Sequence, residues 1–223
     1  MPKKERFALI ICAKGAIRSA SRPEVAIHQL ALLVLALFLT SCATRDTRHS
    51  MVISVPEQHM ALLDQGNVIT TFPISTSKFG LGDSRGSGYT PLGQLEVAEK
   101  IGAGAPAGAV FKDRRRTGEI VAIDSPGRDP IVTRILWLRG RETGNANAYG
   151  RMIYIHGTPE ERNIGEPVSY GCVRMRSRDV IQLYDIVGRG APVTIVNAPL
   201  AAAVPGLAAP AQVAQTKRAE VDL

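Results

Sequence analysis

The chain has 223 residues, of which 45% are hydrophobic and 21% charged, and its formal net charge is +7 at pH 7. This length and composition suit one ordinary domain with extensions, and they exclude a chain that is disordered throughout. The first 41 residues contain six lysines and arginines against two glutamates, which leaves +3 of the net charge for everything that follows. Because the excess charge is concentrated at the N-terminus, nucleic-acid binding is not expected, and the basic run at residues 114–116 is interpreted as a solvated loop.

The N-terminal 41 residues are typical of a secretory signal peptide with a basic front. Their uninterrupted apolar run, residues 30–39, is shorter than the about 20 residues that a membrane-spanning helix needs. The run leads into the sequence LTSC at residues 39–42, which resembles the bacterial lipoprotein box. That resemblance implies cleavage before Cys42, a lipid anchor on its thiol and a periplasmic protein; the outer membrane is favoured because Ala43 follows the cysteine. The alternative is an ordinary signal peptide with an incidental cysteine.

Short segments with β-branched residues and alternating polarity follow the leader, after a polar tether at residues 42–50. We predict strands at residues 51–55, 60–63, 68–74, 93–100, 119–124, 131–138, 151–155 and 191–196. The sequence DQGN at residues 64–67 predicts a hairpin turn between the second and third strands. Residues 177–187 are the one segment with clear helical periodicity, and Ser177 is expected to cap this helix.

Glycine-rich segments separate several of these predicted strands. Residues 78–88 and 102–118 are predicted to be loops, and the second of them is a candidate for a mobile lid. Residues 198–223 are rich in alanine and proline and are predicted to form a disordered tail. The domain is therefore expected to span residues 51–197 and to be mainly β, of the sandwich or barrel type, with one late helix.

A single thiol remains outside the leader and the predicted lipid site. Cys12 lies in the leader and Cys42 is the predicted anchor, so Cys172 is left without a partner in a compartment where disulfides are favoured. It follows Gly171, and His156 ends an apolar run sixteen positions earlier. A thiolate is a strong nucleophile and an imidazole can accept its proton, so the pair indicates a thiol acyl-transfer site. The alternatives are an inert buried cysteine and a histidine that belongs to the core.

Three sequence blocks resemble the L,D-transpeptidase catalytic domain, the YkuD-type family. They are STS at residues 75–77, TPLG at residues 90–93, and the pair His156-Gly157 followed by SYGCVRM at residues 169–175. The resemblance covers residues 51–197 and implies the family's β-sandwich or barrel with one helix after the catalytic cysteine. Tyr170 departs from the pattern, because the family usually has a histidine there and a phenol does not ionise near neutral pH. An altered rate, an altered substrate preference or a lost activity is the expected consequence.

The resemblance also implies roles for individual residues. Cys172 is the implied nucleophile and His156 the implied general base and acid, with the Gly157 carbonyl orienting the imidazole ring. The residues implied to support the loop or its oxyanion hole are Ser169, Tyr170 and Gly171. Arg174 keeps two interpretations: its guanidinium binds a substrate carboxylate, or it forms a salt bridge with Glu166 or Asp179.

The substrate implied by the resemblance is peptidoglycan. A stem tetrapeptide would acylate Cys172, and an amine of a neighbouring stem or of an envelope protein would accept the acyl group, which places the chain in cell-wall biogenesis and cell shape. The nearest alternative uses water as acceptor, as an L,D-carboxypeptidase or hydrolase, and an alternative of another class is a non-catalytic peptidoglycan-binding lipoprotein. No metal or cofactor is expected, because the sequence has neither a cysteine–histidine cluster with ligand spacing nor a glycine-rich phosphate loop.

Overall fold

One mixed sheet dominates the computed structural model of the protein, which describes residues 45–207. Its strands are β1 (His49–Ser54), β2 (His59–Asp64), β3 (Asn67–Pro73), β4 (Gly93–Ile101), β5 (Ala109–Lys112), β6 (Arg115–Ile120), β7 (Ile131–Gly140), β8 (Tyr154–Gly157), β9 (Val173–Met175) and β10 (Pro192–Val196). The α-helices are α1 (Ser177–Ile186) and α2 (Leu200–Ala203), and two 3₁₀ turns lie at Thr143–Asn145 and Glu161–Asn163. The prediction of a mainly-β domain with a helix after Cys172 is confirmed.

The strand order explains how distant parts of the chain meet. The main path runs β3-β2-β1-β10-β4-β7-β5-β6, and β8 extends from β7 and pairs in turn with β9. The first and last strands, β1 and β10, pair in parallel, so that the start and the end of the domain lie side by side. Strand β7 is the branch point, because it pairs with β4, β5 and β8. This branch carries the short parallel pair β8–β9, which contains the predicted site residues.

The core forms where helix α1 packs against the sheet. Val180 and Leu183 of α1 are fully buried in one cluster with Leu136 of β7, Ile155 of β8 and Val173 of β9. Burying side chains of this kind stabilises the fold by about 1.5–3 kcal/mol each. Helix α1 therefore packs against β8 and β9, the strands that precede and follow Cys172 in the sequence.

The start of α1 differs from the prediction in its capping residue. Arg176 occupies the N-cap position, and Ser177 is the first helical residue. The Ser177 hydroxyl hydrogen-bonds the Thr133 hydroxyl at 2.8 Å, while its N–H donates to the Glu161 carboxylate at 2.7 Å. The carboxylate that satisfies the first helical N–H thus comes from a neighbouring 3₁₀ turn, which local sequence does not reveal.

The segment predicted to be a lid, residues 102–118, contains most of a β-hairpin instead. Strand β5 pairs antiparallel with β6, and the predicted strand at residues 119–124 begins earlier and ends at Ile120. The turn of this hairpin is formed by Asp113 and Arg114, whose φ angles are 50° and 65°. The hairpin was missed because this left-handed conformation is usually taken by glycine or asparagine, and the charged residues gave no turn signal.

The prediction of a disordered tail at residues 198–223 is wrong for residues 198–207, the part of it that the structure describes. Helix α2 lies within it, and Leu200 and Val204 are buried against Ala61 and Leu63 of β2. The other predicted boundary, at residue 51, also shifts, because β1 begins at His49 within the predicted tether. The leader, the predicted lipid site Cys42 and residues 208–223 lie outside the described residues. Among residues 45–207, no helix is long and apolar enough to cross a membrane.

Candidate active site

The parallel strands β8 and β9 bring His156 and Cys172 to the same face of the sheet. In their register His156 lies opposite Arg174, and Cys172 directly precedes β9, two positions before Arg174. Since residues two apart on a strand share a face, the thiol and the imidazole are diagonal neighbours on that face. No hydrogen bond joins the two side chains within residues 45–207. The register of a single strand pair thus puts two residues that are sixteen positions apart in sequence on one face.

The Cys172 thiol is partly buried beside a cavity of about 300 Å³. Its sulfur accepts a hydrogen bond from the Tyr154 N–H at 3.4 Å and donates to the Met152 carbonyl at 3.5 Å. Burial raises the pKa of the thiol to about 11, against the lowering effects of the Tyr154 N–H and the nearby Arg174 and Arg151. The Cys172 side chain is consequently a neutral thiol near pH 7.

The His156 imidazole is buried and oriented by its neighbour. Its Nδ1 lies 2.8 Å from the Gly157 carbonyl oxygen, an acceptor, so Nδ1 carries the proton and Nε2 is left with a free lone pair. Burial lowers the pKa of the ring to about 4. A side chain at position 157 is excluded, because its Cβ would lie 2.8 Å from the Val132 carbonyl oxygen. The contact expected between Gly157 and the ring is present, and the imidazole remains a neutral base at mildly acidic and neutral pH.

The three sequence blocks converge on the loop that precedes Cys172. The Ser169 hydroxyl donates to the Cys172 carbonyl at 2.6 Å and accepts the Gly171 N–H at 3.2 Å. The Thr90 hydroxyl donates to the Gly171 carbonyl at 3.1 Å and accepts the Ser77 N–H at 3.0 Å. The Ser169 N–H also donates to the Thr76 carbonyl at 2.8 Å, so the first block holds the loop at Ser169 and the second holds it at Gly171.

The same hydrogen bonds limit which backbone N–H groups of the loop are free to bind an oxyanion. The Gly171 N–H already donates to the Ser169 hydroxyl, which leaves the N–H groups of Tyr170 and Cys172 as the candidates. Gly171 itself has a φ of 117°, and a Cβ there would lie 3.1 Å from the Tyr89 carbonyl oxygen. Its role in this structure is to let the loop approach a neighbouring backbone closely.

Arg174 forms salt bridges with partners that differ from the predicted ones. Its Nη2 lies 2.5 Å from Asp129 Oδ2 and its Nη1 lies 4.0 Å from Glu160 Oε2, whereas the prediction named Glu166 or Asp179. The guanidinium also lines a second cavity, of about 550 Å³, together with Lys78 and Tyr170. The sequence does not reveal these partners, because both acids lie in loops that are distant along the chain.

Tyr170 points away from the thiol and towards this second cavity. Its side chain is 63% exposed, and its hydroxyl accepts a hydrogen bond from Lys78 Nζ at 3.1 Å. It is absent from the lining of the Cys172 cavity, and no hydrogen bond joins it to Cys172 or His156 in the described part of the chain. Tyr170 therefore belongs to the lining of the second cavity and not to that of the Cys172 cavity.

Sequence reasoning missed two arginines that line the Cys172 cavity. The Arg151 side chain is buried, and its guanidinium contacts Asp83 at 2.9 Å and the carbonyls of Tyr89 and Gly82 at 2.6 Å and 3.1 Å. Arg114 belongs to the basic run interpreted as a solvated loop, yet the β5–β6 turn brings it to the cavity mouth. Among residues 45–207, no group of three histidine, cysteine, aspartate or glutamate side chains is arranged to hold a metal ion.

The chain is similar to known proteins over most of this domain. Residues 48–195 match the YkuD L,D-transpeptidase catalytic domain. The probable L,D-transpeptidase YcfS of Escherichia coli is 28% identical over 171 residues, which cover 75% of this chain and 50% of YcfS. The putative L,D-transpeptidase YkuD of Bacillus subtilis is 54% identical over 41 residues, 18% of this chain and 25% of that protein. The chain spans half the length or less of these curated relatives.

A solved structure is also similar, that of L,D-transpeptidase 3 from Mycobacterium tuberculosis. It is 18% identical with a TM-score of 0.44, and the alignment covers 67% of this chain and 61% of that one. The family match decides the assignment, because it includes both strands of the site and every block that holds the Cys172 loop. The chain belongs to the L,D-transpeptidase catalytic domain family.

Proposed function

We propose that the protein is a cysteine-dependent peptidoglycan L,D-transpeptidase that uses Cys172 as nucleophile and His156 as general base and acid. The observation that supports this proposal is the β8–β9 register, in which the oriented His156 lies opposite Arg174, two positions after Cys172, together with the cavity that Cys172 lines. The family supports peptidoglycan stem peptides as substrates. The carbonyl attacked is that of the third stem residue, which is joined to a terminal D-alanine.

The first half-reaction forms a thioester. The Cys172 sulfur attacks the carbonyl carbon, its proton passes to His156 Nε2, and the C–N bond to D-alanine breaks as Nε2 returns that proton to the leaving amine. The N–H groups of Tyr170 and Cys172 stabilise the oxyanion; one such donor is typically worth about 10²–10³ in rate. In the second half-reaction an acceptor amine attacks the thioester, His156 takes its proton, and the sulfur regains a proton.

The burial of both groups fits general-base catalysis better than a preformed ion pair. The thiol pKa is about 11 and the imidazole pKa about 4, so the resting pair is neutral. The proton transfer then occurs as the carbon–sulfur bond forms, when the developing imidazolium is favoured by Asp129 and disfavoured by Arg174. The two residues form a salt bridge of 2.5 Å, and their opposite charges therefore influence how readily the imidazole ring becomes positively charged at this step.

Two alternatives share parts of this site. With water as acceptor the same thioester is hydrolysed, which gives an L,D-carboxypeptidase or a hydrolase that releases an attached envelope protein. A non-catalytic peptidoglycan-binding lipoprotein is the alternative of another class, and Tyr170 in place of the usual histidine is the feature that favours it. The position of Tyr170 outside the Cys172 cavity supports the enzyme over this binder.

The proposed location is the periplasm, with a lipid anchor at Cys42 that holds the domain to the outer membrane. The support is the sequence LTSC and the alanine that follows it. Radiolabelled palmitate should be incorporated into the full chain and not into a Cys42→Ala variant. Equal labelling of the two chains would contradict the anchor and leave the enzymatic proposal standing.

Product analysis tests the proposed activity. Incubation with tetrapeptide muropeptides should release D-alanine and yield cross-linked dimers, detected by mass spectrometry, and Cys172→Ala should yield neither. Tripeptides alone would identify the hydrolytic alternative. Unchanged substrate, together with failure of a carbapenem to add its mass to Cys172, would favour the binder.

A further inference from the structure

A glycine-rich loop, residues 82–90, is held at both of its ends by one arginine. The Arg151 guanidinium donates to the Gly82 carbonyl at 3.1 Å, at the start of the loop, and to the Tyr89 carbonyl at 2.6 Å, near its end. The same guanidinium forms a salt bridge with Asp83 at 2.9 Å. Because one planar group contacts both ends of the loop, Arg151 fixes their separation.

The salt bridge of this loop is shielded from solvent. The Arg151 side chain is 7% exposed and that of Asp83 is 6% exposed. Asp83 is held in turn by Asn147, whose N–H donates to Oδ2 at 2.6 Å and whose side-chain amide donates to the Asp83 carbonyl at 3.2 Å. A buried ion pair with further hydrogen bonds keeps one geometry, because a change in that geometry leaves a buried charge unpaired. The loop is therefore fixed to the segment that leads into β8.

The end of the loop that Arg151 holds also contacts the backbone beside the thiol. A Cβ at Gly171 would lie 3.1 Å from the Tyr89 carbonyl oxygen, the atom that accepts the 2.6 Å bond from Arg151. The next residue, Thr90, donates its hydroxyl to the Gly171 carbonyl at 3.1 Å. Arg151 therefore acts on the position of Gly171 through two consecutive residues of the loop.

The bond from Thr90 determines the direction of one candidate oxyanion donor. The Gly171 carbonyl and the Cys172 N–H belong to the same peptide unit, which is planar and trans, so the two groups point in opposite directions. A hydrogen bond that fixes the carbonyl consequently fixes the N–H as well. Such a donor stabilises an oxyanion because it is already oriented before the charge develops.

We propose that Arg151 is a positioning residue of the acyl transfer, which holds the 82–90 loop so that Thr90 keeps the Cys172 N–H directed at the oxyanion. Arg151 performs this role through the loop and without contact to the reacting atoms. A misplacement of about 1 Å in such a site costs about 10²-fold in rate, so loosening the guanidinium should slow acylation. This inference rests on the proposed acyl transfer at Cys172 and adds a residue that supports it.

Two reactions of the same thiol test this role. Acylation of Cys172 by a carbapenem or a stem tetrapeptide passes through an oxyanion, whereas alkylation by iodoacetamide displaces iodide at a saturated carbon and forms none. Arg151→Lys keeps the positive charge but loses the planar fork that contacts both ends of the loop. It should lower the acylation rate constant by about tenfold or more and leave the alkylation rate unchanged. With the tetrapeptide, the loss should fall on kcat rather than on KM.

Arg85→Lys is the matched control, because Arg85 lies in the same loop, is exposed and forms no salt bridge among residues 45–207. It should change neither rate. Asp83→Asn is the second variant, and it provides the test if Arg151→Lys does not fold. It retains the guanidinium but removes its charged partner, so acylation should again fall while alkylation is unchanged. Wild-type acylation rates in these two variants, or equal losses in both reactions, would overturn the inference.

Thr90→Val tests the last step of the argument, since it removes the hydroxyl that holds the Gly171 carbonyl. Alone it should slow acylation selectively, and combined with Asp83→Asn it should cost less than the sum of the two single effects, because both act on the same N–H. Additive losses would contradict a path from the loop to Gly171.

The wild-type chain separates this inference from the proposed function. Acylation of wild-type Cys172, with equal rates in Arg151→Lys and Asp83→Asn, would overturn the positioning role and leave the proposed function standing. A wild-type thiol that is alkylated but never acylated would overturn both.

Discussion

At the residue scale, the reactivity of the site depends on the burial of two titratable side chains, partial for Cys172 and nearly complete for His156. Cys172 and His156 are diagonal neighbours on the β8–β9 face, and burial shifts the pKa of each away from its charged form. The pKa of the thiol rises to about 11 and the pKa of the imidazole falls to about 4. Both groups are therefore neutral in the resting state, and neither stabilises a charge on the other. A neutral pair is expected to depend on pH differently from a thiolate–imidazolium pair, both in its alkylation rate and in its effect on stability.

The reaction of Cys172 with iodoacetamide should show no thiolate plateau near neutral pH. With a thiol pKa of about 11, the alkylation rate should rise by about tenfold per pH unit between pH 7 and 10. The rate is measured by mass spectrometry of the Cys172 peptide, with Cys172→Ala as the blank for other thiols. A constant rate between pH 6 and 8 would reveal a thiolate already present and contradict the neutral pair.

His156 should make the fold less stable as the pH falls from about 6.5 to about 4. The folded pKa lies below the unfolded value of 6.5, so the unfolded chain binds the proton first and folding is opposed across this window. The shift corresponds to roughly 3 kcal/mol of unfolding free energy, present above pH 6.5 and lost by pH 4. Urea unfolding at several pH values measures this slope.

His156→Gln is expected to lose that part of the slope, since an amide does not titrate. His59→Gln is the control for replacing a histidine elsewhere, because His59 is exposed at the start of β2. Parallel stability curves for the wild type and His156→Gln would show that the imidazole is not buried in its neutral form.

At this scale, contacts between residues that are close in sequence could be predicted, whereas contacts between distant residues could not. The contact between His156 and the Gly157 carbonyl was predictable, because the two residues are adjacent and the ring has one near acceptor. The positions of Arg114 and of the acids beside Arg174 were not, because they depend on a turn of two left-handed charged residues and on loops brought in by tertiary packing.

At the element scale, the loop that precedes Cys172 is positioned by strands and turns from three parts of the chain. Ser169 bonds within the loop, Thr90 holds it from outside, and Ser77 donates in turn to the Thr90 hydroxyl. The three sequence blocks could be predicted to meet, because they share a family pattern. Their hydrogen bonds could not, and these show that Gly171 has a steric role, whereas Tyr170 faces a separate cavity.

Gly171→Ala should destabilise the protein more than Gly165→Ala. Both glycines have positive φ, 117° and 110°, so both substitutions cost about 1–2 kcal/mol in backbone strain. At Gly171 the added Cβ would also lie 3.1 Å and 3.3 Å from two carbonyl oxygens, whereas at Gly165 nothing lies within 4 Å. The expected excess loss at Gly171 is about 1 kcal/mol or more, measured by urea unfolding. Equal losses would mean that the loop relaxes freely.

At the scale of the whole molecule, the two ends of the domain stabilise each other. Strands β1 and β10 pair in parallel, and Asp46 accepts the Gly188 N–H at 2.6 Å, which ties the segment before β1 to the end of helix α1. Helix α2 then covers the opposite side of β1 and β2 with Leu200 and Val204. A period-2 pattern predicts the individual strands, but the parallel closure and the covering helix arise from tertiary packing that the local pattern does not contain.

Leu200→Ala should lower the free energy of unfolding by about 2 kcal/mol, because it removes a 5%-exposed side chain from a small cluster with Ala61 and Leu63. Ile69→Ala is the control on β3, where the side chain is 48% exposed, and should cost less than about 1 kcal/mol. Thermal or urea unfolding measures both. If Leu200→Ala cost no more than the control, helix α2 would not be part of the folded domain in solution.

The most direct test of the central claim is the mass of the intact protein during reaction with a stem tetrapeptide whose amines are acetylated, so that no acceptor amine is present. We expect an adduct equal to the tetrapeptide less D-alanine, located on Cys172 by peptide mapping, with release of one D-alanine per adduct. The adduct should be absent in Cys172→Ala and form far more slowly in His156→Gln. D-alanine release without Cys172, or an adduct on another residue, would contradict the proposal that this thiol carries the acyl group.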